Sequence, residues 1–235
     1  MTYCIIFDTE TTGLPKCKRG VPVSIDNVHL WPHIIQFSFI VYNTYDMTIV
    51  KMVDYIIKLH ESIDIPQESI DVHGISREIS NKQGVLIHVA LKEFMDMYAQ
   101  SKYVVAHNLD FDMNMVRAEI FRMPIQVYQP FTRCHRTNYC RYIDSLEAFS
   151  KSSEYCTMLH GKKDCNIVRQ NRMGYYIKFP TLVELYTHRF GVEPKNMHDS
   201  FNDVVATLRC FLYDMYKRDF MLETTEFSQL LDHIK

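Results

Sequence analysis

Three short blocks of the chain carry residue types suited to phosphate chemistry. The first is Asp8-Thr9-Glu10-Thr11-Thr12-Gly13, straight after the apolar run Cys4-Ile5-Ile6-Phe7. The second is His107-Asn108-Leu109-Asp110-Phe111-Asp112, and the third is His198-Asp199-Ser200-Phe201-Asn202-Asp203. Carboxylates are hard oxygen donors that suit Mg²⁺ or Mn²⁺. Asp8 and Glu10 stand at i and i+2 on an extended segment, so they share a face while Thr9 turns to the other. Two like charges side by side disfavour ionisation unless a cation joins them. Alone, the pair also reads as solvated strand-end charge. In the second block Asp112 and Asp110 compete, and Asp110 has an ordinary reading as an N-terminal helix charge. In the third, Asp203 falls in the first turns of a helix, with Asp199 and Ser200 as caps. His198 lies five residues before Asp203. Four carboxylates and a histidine on three distant segments are what a two-metal phosphodiester-cleaving site needs.

Those blocks need elements to hold them. Residues 3–8 read as a buried strand, short and apolar, broken by Thr11-Thr12-Gly13-Leu14-Pro15. Residues 16–32 read as a loop. Strands are expected over 33–42 and 47–57, joined by a turn at 43–46, which makes an antiparallel meander. Leu86, Ala90, Phe94 and Met97 recur at helical spacing, so a helix is expected over 83–100. A short strand at 103–106 leads to a helix from about 110 to 121. Further helices are expected over 179–190, 199–218 and 225–234. Antiparallel strands followed by alternating helix and strand make an α/β fold with a mixed sheet.

The length of 235 residues suits one α/β domain over 1–235. No repeat, low-complexity tract or bilayer-length apolar stretch is visible. The N-terminal run lacks a preceding basic region and reads as a core strand, not a signal peptide. The expected protein is soluble and intracellular, its compartment open between cytoplasm and nucleus. Seven cysteines, an odd number at irregular spacing, read as reduced thiols and not as a disulfide framework. The net charge is −2, yet residues 132–178 hold nine Lys and Arg against four acids. That local +5 leaves −7 for the rest of the chain, as expected where acids gather around metal ions. Residues 123–178 have weak periodicity and four of the cysteines, and read as a basic insertion on a single domain. Its Tyr139, Tyr142, Tyr155, Tyr175 and Tyr176 suit stacking of single-stranded nucleic acid; a solvated loop is an equal reading. Cys134, Cys140, Cys156, His160 and Cys165 lack the paired short spacings of zinc sites, so zinc is not expected there.

Asp-Thr-Glu-Thr-Thr-Gly, then His-Asn-x-x-Phe-Asp, then His-x4-Asp, in this order, resembles the DEDDh 3′→5′ exonucleases. That family includes the proofreading subunit of the bacterial replicative DNA polymerase. His73-Gly74-Ile75 and the stretch from Phe179-Pro180-Thr181-Leu182 to Phe190-Gly191 also resemble family segments. The resemblance covers nearly the whole chain. It implies a ribonuclease H-like fold, a mixed five-stranded sheet flanked by helices. It also selects Asp112 over Asp110, because the family acid follows Phe. The tyrosine variant of the family would need Tyr at position 199, where Asp199 stands.

The resemblance further implies roles. Asp8 is the bridging ligand of two Mg²⁺, with Mn²⁺ able to substitute. Glu10 and Asp203 complete the ion holding the attacking water, and Asp112 helps hold the other. His198 takes the proton from that water. Thr11, Leu14 and Asn108 are the expected substrate contacts, with core packing as the other reading of Leu14. His107 and His73 are expected as turn or packing residues. The implied activity is a 3′→5′ exonuclease of proofreading or repair type, releasing nucleoside 5′-monophosphates. Its substrate is the single-stranded or frayed 3′ end of a nucleic acid, DNA favoured. A DNA polymerase is a candidate partner, and no membrane is involved. An exoribonuclease of the same family is the rival, and a non-catalytic nucleic-acid-binding module is a remote one.

Overall fold

The apolar run that precedes the first motif becomes the middle strand of a sheet. In the computed structural model, which describes residues 2–18, 20–123, 153–223 and 225–235, β1 spans Tyr3–Thr11. Side chains alternate along it: Ile5 and Phe7 enter one core cluster, Cys4 and Ile6 another. Burial on both faces is why the run is continuously apolar. β2 (Ile34–Asn43) pairs antiparallel with β1, and β3 (Thr48–Ile56) pairs antiparallel with β2. This is the expected meander, with its turn at residues 44–47. β4 (Ser101–Ala106) pairs parallel with β1, and β5 (Ser153–Cys156) parallel with β4. The sheet order is β3-β2-β1-β4-β5, the mixed five-stranded α/β sheet expected of a ribonuclease H-like fold.

One face of the sheet is covered by α1 (Gln67–His73), α2 (Arg77–Gln83), α3 (Ile87–Tyr98) and α4 (Leu109–Arg122). Phe94 on α3 is the centre of that core. Its ring lies 4.9 Å from Phe7, 5.0 Å from Phe37 and 5.7 Å from Phe39, centroid to centroid. Such aromatic contacts add to the area they remove from water. The helix expected over 83–100 starts later, at Ile87. Gly84 ends α2, and Val85 bridges to Ile57. A Cβ at Gly84 would lie 2.5 Å from the Lys58 backbone nitrogen, so only glycine admits this close approach.

α5 (Thr157–Cys165), α6 (Leu182–Phe190), α7 (Ser200–Tyr216) and α8 (Thr225–Leu231) follow. α7 crosses β1 and β2 on the second face, where Tyr42, Phe211 and Phe227 are fully buried. α6 opens with a capping box, Thr181 and Glu184. β5 arises inside the 123–178 stretch. Its Tyr155 donates to Asp214 of α7 at 2.6 Å, and Asp214 also pairs with Arg189 of α6 at 2.8 Å. This network seats the last strand against the second helical layer. β6 (Val168–Asn171) and β7 (Gly174–Ile177) form a separate two-stranded ribbon.

Cys4, Cys17, Cys156, Cys165 and Cys210 are free thiols. Cys134, Cys140, Tyr139 and Tyr142 lie outside the described residues. No described helix is long and apolar enough to cross a membrane.

Candidate active site

β1 outlasts its parallel neighbour. β4 pairs with it only over Tyr3–Ile6, so the later backbone N–H groups on that side need another acceptor. Asp112 supplies one from the start of α4. Its Oδ1 accepts from the Thr9 N–H at 3.1 Å and from Thr9 Oγ1 at 2.8 Å. The tie holds Asp112 at the strand edge, 2% exposed. Helical residues step about 100° each, so Asp110 and Asp112 diverge by about 200°. Asp110 is accordingly exposed, with Asn114 Nδ2 donating to its carbonyl oxygen at 2.8 Å. Asn108, just before α4, takes a left-handed φ of 76°.

Asp8 and Glu10 point to the opposite face from Thr9, toward the start of α7. Their partners across β2 are Ser38 and Gln36. Gln36 is buried and ties down the third motif. Its Nε2 donates to Asp199 Oδ2 at 3.1 Å, and its Oε1 accepts from the Ser200 N–H at 3.1 Å. Ser200 Oγ in turn donates to the Asp8 carbonyl at 2.8 Å. Asp199 caps α7 by accepting from the Phe201 and Asn202 N–H groups, each at 3.1 Å. Asp203 follows one turn later. His198 has a φ of 67°, a conformation rare outside glycine, and the residue is exposed.

These links bring the three blocks together. Ligand atoms of Glu10, His198 and Asp203 lie within 4.8 Å of one another. Asp203 Oδ1 is buried and has no hydrogen-bond partner among the described residues. Burial lifts all four carboxyls above their ordinary range. Asp8 is pushed well up by desolvation, then by the charges of Asp112, Asp203 and Glu10. Glu10 rises to about 8, chiefly by burial and then by Asp203 and Asp112. Asp112 rises by burial against the opposing hydrogen bonds of Thr9. Asp203 rises to about 7 by burial, partly offset by the His198 backbone. A buried group of like charges with an orphaned carboxylate oxygen fits a hard divalent cation, which supplies the missing positive charge.

The other expected residues fall around this centre. Thr11 is 9% exposed, and its hydroxyl donates to the Gly13 carbonyl at 2.7 Å, shaping the turn. Gly13 has a φ of 138°, a value that side chains resist. Leu14 is 80% exposed, so it is not a core residue. With Trp31, Asn108 and Phe111 it lines a cavity of about 420 Å³, whose acid is Asp110 and not one of the four clustered carboxylates. His107 is a packing residue, its ring between Thr157 Oγ1 at 3.0 Å and the Pro180 carbonyl at 3.2 Å. Burial pushes it down to about 4, so it stays neutral. His73 Nδ1 accepts from the Ile75 N–H at 3.0 Å. Glu10, His198 and Asp203 form the one cluster of metal-ligating side chains found among the described residues. His160, from the cysteine-rich stretch, instead stacks on Tyr155 at 3.9 Å.

Sequence reasoning did not single out Thr9, Gln36 or Ser38. Gln36 and Ser38 had a visible signal: they are the two polar residues in the apolar stretch 34–42, spaced two apart on one face. Thr9 had none, because its role depends on where α4 lies.

The sequence profile of the RNase T group, described as Exonuclease, matches residues 5–211. No curated protein matches the chain. Among solved structures, E. coli Exonuclease I in complex with a dT13 oligonucleotide has a TM-score of 0.59 at 15% identity. That match covers 93% of this chain and 42% of the other. The zinc ion bound form of an E. coli ExoI–ssDNA complex gives 0.59 at 14% identity, over 95% and 43%. A moderately thermophilic Exonuclease I from Methylocaldum szegediense gives 0.56 at 15% identity, over 95% and 43%. The chain thus spans less than half the length of these proteins, and at such identity the likeness establishes the fold.

Proposed function

Because the chain belongs to this exonuclease family, we propose that it is a metal-dependent 3′→5′ exonuclease of the DEDDh type. It removes nucleoside 5′-monophosphates from single-stranded or frayed 3′ ends, with DNA as the preferred polymer, in proofreading or repair. The observation that carries this reading is the convergence of Glu10, Asp203 and His198 beside Asp8 and Asp112. The preference for DNA draws support from the structurally similar Exonuclease I proteins, which are described with DNA oligonucleotides.

In this proposal the chain acts as one exonuclease domain. Asp8, Glu10, Asp112 and Asp203 hold two Mg²⁺, or Mn²⁺ in their place, through hard oxygen donors. The ions, when bound, lower the pKa of a water and neutralise charge on the phosphoryl oxygens. Asp8 would be shared between the ions, a role supported by its electrostatic interaction with each of the other three carboxylates. Thr9 fixes Asp112 in place, and its two hydrogen bonds oppose the upward push of burial on that carboxyl. His198 accepts the proton of the attacking water on its imidazole. Its exposure lets that proton leave to solvent. Thr11, Leu14 and Asn108 receive the terminal nucleotide, with Leu14 as an apolar surface against the last base.

The deciding experiment digests matched 5′-labelled DNA and RNA strands with Mg²⁺ and analyses the products. Mononucleotides released faster from DNA are expected. Faster loss of RNA would make the protein an exoribonuclease, and no cleavage of either would leave a binding module. Asp8→Ala should lower the rate by about 10³-fold or more, a loss on the scale of removing a transition-state stabiliser.

A further inference from the structure

The β6–β7 ribbon takes no part in the chemistry above, yet its composition is unusual for this chain. Residues 166–183 contain Arg169, Arg172 and Lys178 and no acid, in a protein of net charge −2. Seven of the eight strand residues are exposed, on both faces of the ribbon. Tyr175 is 77% and Tyr176 46% exposed, and Met173 at the turn between the strands is 96% exposed. A free two-stranded ribbon is marginal in water by itself. Solvated ribbons are not expected to display bare aromatic rings, which mark contact surfaces.

The register shows what that surface would contact. Arg169 stands directly across from Tyr176, so a guanidinium and a phenol ring sit side by side on one face. Arg172 lies at the turn beyond them. A cation beside a flat ring matches the alternation of phosphate and base along a single strand. Lys178, by contrast, is already paired with Glu184 at 2.8 Å. Neither Arg169 nor Arg172 meets a carboxylate among the described residues.

The ribbon is also tied to the site. Two residues after Lys178, the Pro180 carbonyl accepts from His107 Nε2 at 3.2 Å, and His107 immediately precedes Asn108 and α4. Strand residues rise about 3.4 Å each, so the four residues of β7 span about 14 Å between the turn and the segment that leads to that anchor.

We propose that this ribbon is a second contact for single-stranded nucleic acid, with Arg169 and Arg172 on phosphates and Tyr176 under a base. It grips the strand on the 5′ side of the nucleotides at the metal site, and rests on the exonuclease reading for its substrate. In this proposal a trinucleotide held at the carboxylates does not extend to the ribbon.

The test compares the parent protein with the triple variant Arg169→Ala, Arg172→Ala, Tyr176→Ala. Anisotropy of a fluorescein-labelled oligothymidylate of about twenty nucleotides in EDTA reads binding over a range of salt. The dissociation constant should rise roughly 10- to 100-fold, from one lost stack and two lost phosphate contacts. The slope of log affinity against log salt should shrink by about 1.4, at about 0.7 per phosphate for a single strand. Arg169→Lys with Arg172→Lys should keep that slope. Hydrolysis of a trinucleotide with Mg²⁺ should change by less than about twofold, since only the long strand reaches the ribbon. Unchanged affinity and slope for the long strand would overturn the proposal. So would trinucleotide hydrolysis falling as far as affinity, because the ribbon would then act through the metal site. If the parent cleaves neither oligonucleotide but the affinity difference persists, the exonuclease reading fails and the ribbon stands.

Discussion

Asp8, Glu10, Asp112 and Asp203 all bind protons more readily in the folded protein than in the unfolded chain, because burial and mutual repulsion disfavour their charged forms. The sign of the consequence follows by linkage. Where the folded state holds more protons, stability falls as pH rises. The window runs from the unfolded carboxyl range near 4 up to about 8, the value reached by Glu10. In EDTA the melting temperature should therefore drop by several degrees between pH 5 and pH 8, since about 1 kcal/mol moves it about 2–4 °C at this size. Mg²⁺ should restore most of the loss, and should stabilise more at pH 8 than at pH 5. A metal-free melting temperature that rises over this window would contradict the buried acid cluster. His198 has a separate signature. His198→Ala should slow cleavage by roughly 10²- to 10⁴-fold, the usual worth of a general base. The Mg²⁺-induced rise in melting temperature should persist in that variant, whereas loss of it would make His198 a metal ligand.

At the scale of elements, positions are transmitted by a few buried hydrogen bonds. Gln36 on β2 holds Asp199 and Ser200 at the start of α7, and so fixes His198 and Asp203. Thr9 on β1 fixes Asp112. Gln36→Leu and Thr9→Val should each lower the cleavage rate by about 10- to 100-fold, as is usual for groups that orient metal ligands. Excess Mg²⁺ should rescue part of the Thr9→Val loss, because a loosened ligand weakens metal affinity first. Full activity in either variant would show that the motifs hold their places without these ties. Local pattern made β1 to β4 and most helices legible: the apolar run of β1, the meander, and the helical stripe of α3 around Phe94. It showed neither α1 nor α2, and it placed the start of α3 at residue 83 and not at Ile87, because the break at Gly84 comes from a close approach of Lys58, a residue far away in sequence. Nor did it locate β5. The segment Ser153–Cys156 has no strand pattern of its own, and is a strand because β4 offers an open edge and Asp214 receives Tyr155.

The whole molecule has two helical layers resting on the same five strands. Phe94 leads one core and Phe227 belongs to the other. Loss of either layer strips one face of β1, so the two should melt together. Phe227→Ala should cost about 3–5 kcal/mol, the usual range for emptying a buried aromatic site. Its unfolding by far-ultraviolet circular dichroism should coincide with that seen by fluorescence of Trp31, the single tryptophan, which packs on the opposite face. Two separated transitions would divide the chain into independent units. The sequence by itself grouped the candidate acids in three blocks and put Asp8 and Glu10 on one face, because strand side chains alternate. It also carried the family resemblance, through the order of the three motifs. Only the tertiary structure decided how those groups meet. Asp112 turns inward because β4 stops short and leaves the Thr9 N–H in need of an acceptor. Leu14 stands in solvent beside a cavity because the Gly13 turn lifts it out of the sheet. Such choices depend on backbone groups from distant segments competing for hydrogen bonds and burial, and no window of neighbouring residues contains that competition.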